Sequence, residues 1–231
     1  MTRIEGIIFD KDGTLFEHSH TWDDWAGNII EYLAEGNPKW RLALAKELCY
    51  NLKNRTYFAD SPLIACTNRQ AAEYIVRALP HCDVEAIERY LMLSSVDASL
   101  APATDLLRLF SGFQAYGLRL GMVTNDSEYG AYAHLNAAGV TPFFDFIAGY
   151  DSGFGAKPDP EPLLVFSSRY NLNPASVLMV GDSRTDLSAG RAAGMQTVGV
   201  LTGVATRADL ADLADCVLPD IGDLPEWLAM V

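Results

Sequence analysis

The sequence has no long apolar run and no segment of biased composition. No stretch comes near the roughly 18 consecutive apolar residues that a membrane-spanning helix requires, so we expect no membrane span. The first five residues lack the shape of a secretory signal peptide and lead straight into an apolar segment. From these absences we expect a cytoplasmic protein without a membrane partner.

Cysteine is also scarce. The four cysteines, at positions 49, 66, 82 and 216, form no CxxC pair and have no spacing typical of a metal site. Free thiols in a reducing compartment explain such cysteines best. The sequence also lacks a Walker lysine motif and a GxGxxG pattern, so it does not imply a nucleotide cofactor.

Positively charged residues are few compared with negatively charged ones. The chain contains 17 lysines and arginines against 30 aspartates and glutamates, which gives a formal net charge of −13. An acidic surface repels nucleic acid and anionic membranes, so neither is expected as a partner. It would also repel a phosphorylated substrate, so any phosphate site must be positive locally.

What the sequence does contain is an alternation of strands and helices that is interrupted once. Its 231 residues, 49% of them hydrophobic, suffice for a core domain with an insertion. Helical patterns without a strand occupy residues 16–100, including a helix capped by Thr21 and another from Pro38 to about Lys53. We therefore predict an α/β fold with a three-layer, Rossmann-like parallel-sheet core of residues 1–15 and 101–231, and an inserted all-helical domain of residues 16–100.

A short apolar strand near the start of the chain ends in two carboxylates. Asp10 and Asp12 follow the run Ile4–Phe9, and Gly13 comes next. Side chains two residues apart on extended chain point the same way, so both carboxylates project beyond the strand's carboxyl end, where open α/β sheets bind ligands. Two adjacent carboxylates repel, so one must be neutralised by a metal or carry a proton. This favours a nucleophile beside a general acid and base, although a plain polar turn has the same composition.

Three later polar clusters also follow strand patterns. Thr124 and Asn125 stand at a helix start, where a hydroxyl and backbone N–H groups suit phosphate oxygens. Lys157 lies in a loop with two prolines, and an ammonium held there can neutralise a phosphoryl group. Asp182 and Asp186 lie near another helix start and can hold a hard cation through oxygen. Taken singly, helix capping or a surface lysine would also explain each cluster.

All four clusters together, each after a strand and in this order, resemble the haloacid dehalogenase-like superfamily of phosphohydrolases. The similarity covers nearly the whole chain, and the helical block resembles the C1-type helical cap of that superfamily. The sequence is most similar to the phosphoglycolate phosphatase-like subgroup. The matching segments are Asp10-Lys11-Asp12-Gly13-Thr14, Thr124-Asn125, Lys157-Pro158 and Gly181-Asp182-Ser183-Arg184-Thr185-Asp186.

The resemblance implies a magnesium-dependent phosphatase. Asp10 would attack phosphorus in line and form an aspartyl-phosphate. Asp12 would protonate the leaving oxygen and then take a proton from the water that hydrolyses the intermediate. Mg²⁺ would be held by the Asp10 carboxylate, the Asp12 backbone carbonyl and Asp182, with Asp186 close behind.

The resemblance also implies how an acidic protein binds phosphate. Thr124, the Asn125 N–H and Lys157 would bind the phosphate oxygens, while Mg²⁺ and Lys157 would supply local positive charge. The expected partner is a small phosphate ester such as phosphoglycolate or a sugar phosphate, with a nucleoside monophosphate next. The protein would act as a monomer or a homodimer.

Substrate specificity would be set by the cap and by the stretch that enters it. His18, His20, Trp22 and Arg55 are the polar or aromatic residues expected to face the cleft. A tryptophan at helical spacing is also typical of an apolar core, and the histidines are also compatible with a solvated surface. Because the chain crosses between core and cap only twice, near residues 16–20 and 100–102, we expect the cap to open and close.

Other functions remain possible on these motifs. Dehalogenases of the superfamily lack the second acidic residue, so Asp12 argues against that activity. A phosphomutase or a nucleotidase would share all four clusters. A two-component receiver domain also combines an acceptor aspartate with a threonine and a lysine, but it resembles a single compact domain without an inserted cap. A catalytically inactive binding protein of the same fold is disfavoured because every expected catalytic position is filled.

Overall fold

The computed structural model describes residues 3–229, and the side chain of His20 lies outside the described part. The strands are β1 (Gly6–Phe9), β2 (Tyr50–Asn51), β3 (Thr56–Tyr57), β4 (Arg119–Val123), β5 (Phe146–Ala148), β6 (Val177–Gly181), β7 (Gln196–Val200) and β8 (Cys216–Leu218). The helices are α1 (His18–Ala34), α2 (Pro38–Glu47), α3 (Asn68–Ala78), α4 (Val84–Ser95), α5 (Leu106–Ala115), α6 (Glu128–Ala137), α7 (Glu161–Arg169), α8 (Arg184–Ala192), α9 (Arg207–Leu210) and α10 (Leu224–Ala229). None of these helices is long and apolar enough to cross a bilayer.

Within residues 3–229, six strands form one parallel sheet in the order β5-β4-β1-β6-β7-β8. β1 comes first in the chain but lies in the middle of the sheet, where Phe9 pairs with Met122 of β4 and with Val180 of β6. Because parallel strands run in one direction, their carboxyl ends meet at one edge of the sheet. The predicted parallel α/β sheet is confirmed.

Apolar side chains cover both faces of this sheet. Ile7 and Phe9 belong to a buried cluster with Phe110 of α5, and Ile8 belongs to a second cluster with Phe166 of α7. Successive side chains on a strand point to opposite faces, so a strand buried on both sides must be apolar throughout. Full burial of each such side chain contributes about 1.5–3 kcal/mol, which explains the three layers of helix, sheet and helix.

Helices α1–α4 form a block with its own apolar core, in which Ile30, Leu44 and Ile75 are buried. We predicted that this block would be all-helical, and the structure differs from that prediction. Strands β2 and β3 form a short antiparallel pair within it, with Tyr50 opposite Tyr57. Two residues in each strand are too few for a recognisable alternating pattern, so the sequence carries no clear signal for them.

Two helix boundaries also differ from the prediction. Thr21 does not cap α1, because the helix begins earlier and the Thr21 hydroxyl donates to the Glu17 carbonyl at 2.8 Å, one turn back. Helix α2 ends at Glu47 instead of continuing to Lys53. Cys49 has a φ of 47°, which lies outside the right-handed helical region and turns the chain into β2.

The segments that enter and leave the helical block run side by side. The Glu17 N–H donates to the Ala101 carbonyl at 2.8 Å, and the Ala103 N–H donates to the Leu15 carbonyl at 3.0 Å. The division into a core of residues 1–15 and 101–231 and a cap of residues 16–100 stays a prediction. Both the separate apolar core and these paired crossings support it.

Candidate active site

The loop after β1 directs two aspartates toward the edge of the sheet. The Asp10 N–H continues the strand ladder by donating to the Val180 carbonyl at 2.9 Å. Gly13, with a φ of 86°, then turns the chain back, a conformation that glycine adopts without strain. Asp10 is 6% exposed and Asp12 is partly buried, and both line one cavity.

Three buried carboxylates meet at the carboxyl ends of β1 and β6. Asp10, Asp182 and Asp186 each present one oxygen, and these oxygens lie within 4.8 Å of one another. Asp186 accepts hydrogen bonds from the Ser183 hydroxyl at 2.6 Å and the Ser183 N–H at 3.0 Å, which hold it at the start of α8. The prediction that Asp182 and Asp186 lie beside Asp10 therefore agrees with the structure, although their roles stay predictions.

Glycines make the space that Asp182 occupies. A Cβ at Gly203, in the loop after β7, would lie 1.7 Å from Asp182 Oδ2, and one at Gly13 would lie 2.4 Å from Asp182 Cγ. Both distances are far below van der Waals contact, so neither position accepts a side chain unless Asp182 moves. Two loops distant in sequence thus fix one carboxylate.

Lys157 lies among these carboxylates and is itself 4% exposed. Its Nζ is 2.5 Å from Asp10 Oδ1 and 2.6 Å from Asp186 Oδ1. Burial alone would lower the pKa of Lys157, but Asp10 and then Asp186 raise it above the usual value, so the ammonium stays charged. Burial raises the pKa of Asp10 to about 7, with Lys157 opposing that shift.

The residues present fit a divalent cation. Burial, and then the neighbouring carboxylates Asp186 and Asp10, raise the pKa of Asp182 well above its usual value. One ammonium cannot balance three buried carboxylates, and a hard divalent ion would remove the remaining repulsion. Carboxylate oxygen is also the ligand type that Mg²⁺ prefers.

Asp12 is held by a lysine that our sequence analysis did not identify as part of the site. Lys11 is fully buried, and its Nζ lies 2.8 Å from Asp12 Oδ1, 2.9 Å from His134 Nδ1 and 3.1 Å from Asp126 Oδ2. The contacts with Asp12 and His134 are hydrogen bonds, and the contact with Asp126 is an ion pair. Burial alone would raise the pKa of Asp12, but Lys11 holds it below the usual value.

His134 of α6 links this lysine to the helical block. Its Nε2 lies 2.8 Å from the Ser95 carbonyl at the end of α4. A carbonyl only accepts, so Nε2 carries the proton and Nδ1 accepts from Lys11. The sequence did contain a signal for Lys11. Side chains alternate along extended chain, so a lysine between two aspartates points away from both of them. No pattern in the sequence around His134 indicates its role.

The predicted phosphate-binding residues line the same cavity as Asp10. Thr124 follows β4 and lines the cavity with Asn125 and Lys157. The Asn125 side chain accepts from the Lys157 N–H at 2.9 Å and donates to the Lys157 carbonyl at 2.9 Å. It also donates to the Ala65 carbonyl of the helical block at 2.9 Å. Asn125 therefore fixes the lysine loop as well as the cap segment above it.

Only two of the four predicted specificity residues are seen to line the cavity. His18 and Trp22 do so, while the side chain of His20 lies outside the described residues. The expectation for Arg55 needs correction, because it does not line the cavity. Arg55 has a φ of 54° in the turn between β2 and β3, and its guanidinium pairs with Asp24 Oδ1 at 3.0 Å on the outer side of α1.

Sequence comparison supports the resemblance. Residues 4–194 match the family of haloacid dehalogenase-like hydrolases. The phosphoglycolate phosphatase of Escherichia coli (strain K12) is 37% identical over 113 residues, which are 48% of this chain and 44% of that protein. The chain thus matches less than half the length of this curated relative.

Solved structures share the fold over nearly the full chain. CbbY from Rhodobacter sphaeroides in complex with phosphate gives a TM-score of 0.72 at 23% identity, covering 96% of each chain. A predicted phosphoglycolate phosphatase from Haemophilus somnus 129PT gives 0.70 at 22% identity, covering 98% of this chain and 99% of that one. The motif geometry, the family match and the shared fold agree. The chain belongs to the haloacid dehalogenase-like hydrolases.

Proposed function

We propose that this protein is a Mg²⁺-dependent phosphatase that hydrolyses small phosphomonoesters through an aspartyl-phosphate on Asp10. One observation carries the proposal. Asp10 lies 2.5 Å from the Lys157 ammonium, within a buried group of carboxylates suited to a divalent cation. The Escherichia coli relative that aligns with 48% of this chain is a phosphoglycolate phosphatase, which supports the same class of reaction.

Asp10 is the proposed nucleophile because it is fixed and shielded from water. An oxygen of its carboxylate attacks phosphorus, and the bond between phosphorus and the ester oxygen breaks as the new bond forms. Lys157 steadies the carboxylate and neutralises charge on the phosphoryl oxygens. Water then attacks phosphorus, releases phosphate and restores the Asp10 carboxylate.

Asp12 is the proposed proton carrier for both steps. It gives a proton to the ester oxygen as that oxygen leaves, and it takes one from the attacking water. Lys11 binds Asp12 Oδ1, which leaves Oδ2 for the exchange and limits rotation of the carboxylate. A carboxylate held this way keeps the proton in line with the reacting oxygen.

Mg²⁺ would be held by Asp10, Asp182 and Asp186 together with the Asp12 backbone carbonyl. Once bound, the ion would offset charge on the transferring phosphoryl group. Thr124, the Asn125 N–H and Lys157 are proposed to bind the phosphate oxygens. The cavity has a volume of about 90 Å³, which favours a small organic phosphate such as phosphoglycolate or a sugar phosphate over a macromolecule.

The test replaces the nucleophile. Asp10→Asn is expected to abolish hydrolysis of 4-nitrophenyl phosphate while the protein stays folded, because an amide cannot form the aspartyl-phosphate. Asp24→Asn, at a side chain that is 83% exposed, is the matched control and should keep full activity. Full activity in Asp10→Asn would refute the assignment.

The same assay separates the other functions. A phosphomutase would return the phosphoryl group to a sugar without releasing phosphate. A receiver module would take up one phosphoryl group and stop. Steady release of phosphate over many turnovers, lost on chelation and restored by Mg²⁺, is the expected result.

A further inference from the structure

Two polar residues that are connected to Asp12 are buried outside the cavity. Lys11 is fully buried and His134 is 1% exposed, and neither of them lines the cavity to which Asp12 contributes. Burying a charged or polar side chain costs free energy unless partners replace the lost water. Because neither residue reaches the cavity, any part that they play in the reaction must act through Asp12.

Lys11 is the direct link to Asp12. Within the part of the chain that the structure describes, it is the one side chain that donates a hydrogen bond to the Asp12 carboxylate, at 2.8 Å. Its ammonium also lies 3.1 Å from Asp126 Oδ2 and 5.2 Å from the centre of the Trp22 ring. A lysine ammonium is a compact charge on a flexible stem, and the two carboxylates compete for it. The location of Lys11 Nζ therefore decides how the Asp12 carboxylate is held.

His134 fixes that location. Its Nδ1 accepts from Lys11 Nζ at 2.9 Å, and its Nε2 donates to the Ser95 carbonyl at 2.8 Å. The ring also contacts Phe16 and Trp22, whose ring centroids lie 6.3 and 5.9 Å from its own. Burial, and then the neighbouring Lys11, lower the pKa of His134, so the ring is neutral at pH 7 and does not repel the ammonium. Held at both nitrogens, the ring offers Lys11 one acceptor in one place.

A fixed ammonium gives the two oxygens of Asp12 different roles. Oδ1 accepts from Lys11, whereas Oδ2 accepts no hydrogen bond from the residues that the structure describes. Without His134, the ammonium would lose one acceptor and shift toward the carboxylates of Asp12 and Asp126. General acid catalysis depends on the alignment of the acid with the oxygen that it protonates, so a small displacement of Asp12 lowers the rate.

We propose, resting on the phosphatase function above, that His134 is a positioning residue for proton transfer by Asp12. It fixes the Lys11 ammonium, and Lys11 fixes the carboxylate. As the bond between phosphorus and the ester oxygen breaks, the proton on Asp12 passes to that oxygen and leaves the carboxylate ionised. His134 and Lys11 neither give nor receive this proton. Loss of His134 therefore slows the release of leaving groups that need a proton and spares those that do not.

Two esters that differ in their need for a proton report this role. 4-Nitrophenolate is a stable anion and leaves phosphorus without protonation, whereas the alkoxide of benzyl alcohol is strongly basic and needs a proton as it leaves. The value of kcat/KM reports the steps up to release of this alcohol or phenol. The ratio of kcat/KM for benzyl phosphate to kcat/KM for 4-nitrophenyl phosphate thus measures proton delivery by Asp12.

The test compares two variants of nearly equal shape. His134→Leu removes the acceptor and should lower this ratio about ten-fold, a part of the roughly 10²–10⁴-fold that a general acid contributes. His134→Asn carries an amide oxygen close to the position of Nδ1 and should restore most of the ratio. Should His134→Leu not fold, His134→Phe, which keeps a ring and lacks the acceptor, replaces it with the same expected result. An unchanged ratio without the acceptor, or no recovery in His134→Asn, would overturn the proposal.

Leu135→Ala, in the same helix, separates positioning from damage to the fold. Leu135 is fully buried in the apolar cluster of Phe9 and Phe110, and its truncation weakens packing without removing an acceptor for Lys11. The ratio should stay unchanged in this variant, and a ten-fold fall would overturn the proposal.

The unaltered protein separates this inference from the proposed function. If it hydrolyses 4-nitrophenyl phosphate and not benzyl phosphate, no acid assists the leaving group, so the inference fails while the phosphatase function stands. Failure to hydrolyse either ester would instead refute the phosphatase function, and this inference with it.

Discussion

Lys11 shows how much of the site depends on one buried charge. Its ammonium is fully buried and lies near two carboxylates, Asp12 and Asp126, as well as His134. Such a group contributes little net stability while all partners are present, because desolvation offsets the attraction. Removing it leaves the carboxylates buried and unpaired.

We therefore expect Lys11→Met to lower the free energy of unfolding by about 3–5 kcal/mol, measured in urea. In whatever fraction stays folded, kcat should fall more than KM rises, because Asp12 loses its anchor and phosphate binding does not use Lys11. Lys39→Met, at an exposed position in α2, should change stability by about 0.5 kcal/mol or less. A Lys11→Met protein with normal stability and normal kcat would contradict both roles.

The crowded carboxylates also make stability depend on pH. Burial raises the pKa of Asp10 to about 7 from 3.8. The folded state then binds this proton more tightly than the unfolded state, so the associated stability is present below about pH 4 and is lost as pH rises toward 7. Mg²⁺ would bind the ionised carboxylates and reverse this loss.

Saturating Mg²⁺ is accordingly expected to raise the melting temperature more at about pH 8 than at about pH 5. Differential scanning calorimetry with and without the ion measures both increments. Asp10→Asn should reduce the difference between them. Equal increments at the two pH values would show that the ion does not compete with these protons.

At the scale of strands and loops, most of the site was predictable from the sequence. An apolar run followed by Asp10 and Asp12 indicates both a buried strand and its carboxyl end, because burial and polarity change within one residue. The same signal precedes Thr124 and Asp182. Contacts between distant segments gave no such signal. Asn68 donates to Asp126 at 3.1 Å across the cap boundary, and no local pattern reports a pair separated by 58 residues.

Arg55 shows why side-chain direction was harder to predict. Arg55 was expected to face the cleft, but it has a positive φ and its guanidinium pairs with Asp24. A tight turn of this kind depends on β2 and β3, each only two residues long. The aromatic Trp22 reaches the cavity because it lies on a regular helix, whose faces follow from periodicity.

The loop after β7 permits a sharp test at this scale. Gly203→Ala would place a Cβ 1.7 Å from Asp182 Oδ2, so Asp182 must move away from the cation site. We expect the Mg²⁺ concentration for half-maximal activity to rise at least ten-fold, as it should also for Asp182→Ala. Gly112→Ala in α5 is the control, since a Cβ there meets nothing within 4 Å. An unchanged Mg²⁺ titration for Gly203→Ala would count against Asp182 as a ligand.

Across the whole molecule, the helical block touches the sheet domain at several polar points. Tyr150 donates to Glu88 at 2.6 Å, Asn125 to the Ala65 carbonyl at 2.9 Å, and His134 to the Ser95 carbonyl at 2.8 Å. A few hydrogen bonds of about 0.5–1.5 kcal/mol each permit opening, whereas a large apolar interface would not. The opening and closing of the cap stays a prediction.

Amide hydrogen exchange with and without Mg²⁺ and BeF₃⁻ tests that motion. Exchange near residues 16–20 and 100–102 should slow on saturation, and small-angle scattering should show a smaller radius of gyration. Asp10→Asn, treated in the same way, should show neither change because it cannot bind the phosphoryl mimic. If the unaltered protein shows no change by either method, the cap is rigid and access to Asp10 is permanent.

The central place of β1 has a consequence for how the chain acquires its structure. β1 is synthesised well before its neighbours in the sheet, Arg119–Val123 and Val177–Gly181, which follow more than 100 residues later. The apolar core of the helical block, by contrast, uses residues between 25 and 91 and forms from contacts that are close in sequence. Local contacts form fast and distant strand pairings form slowly. During synthesis the helical block can therefore fold while β1, the strand that leads into Asp10, is still unpaired, and an unpaired apolar strand exposes the nascent chain to aggregation.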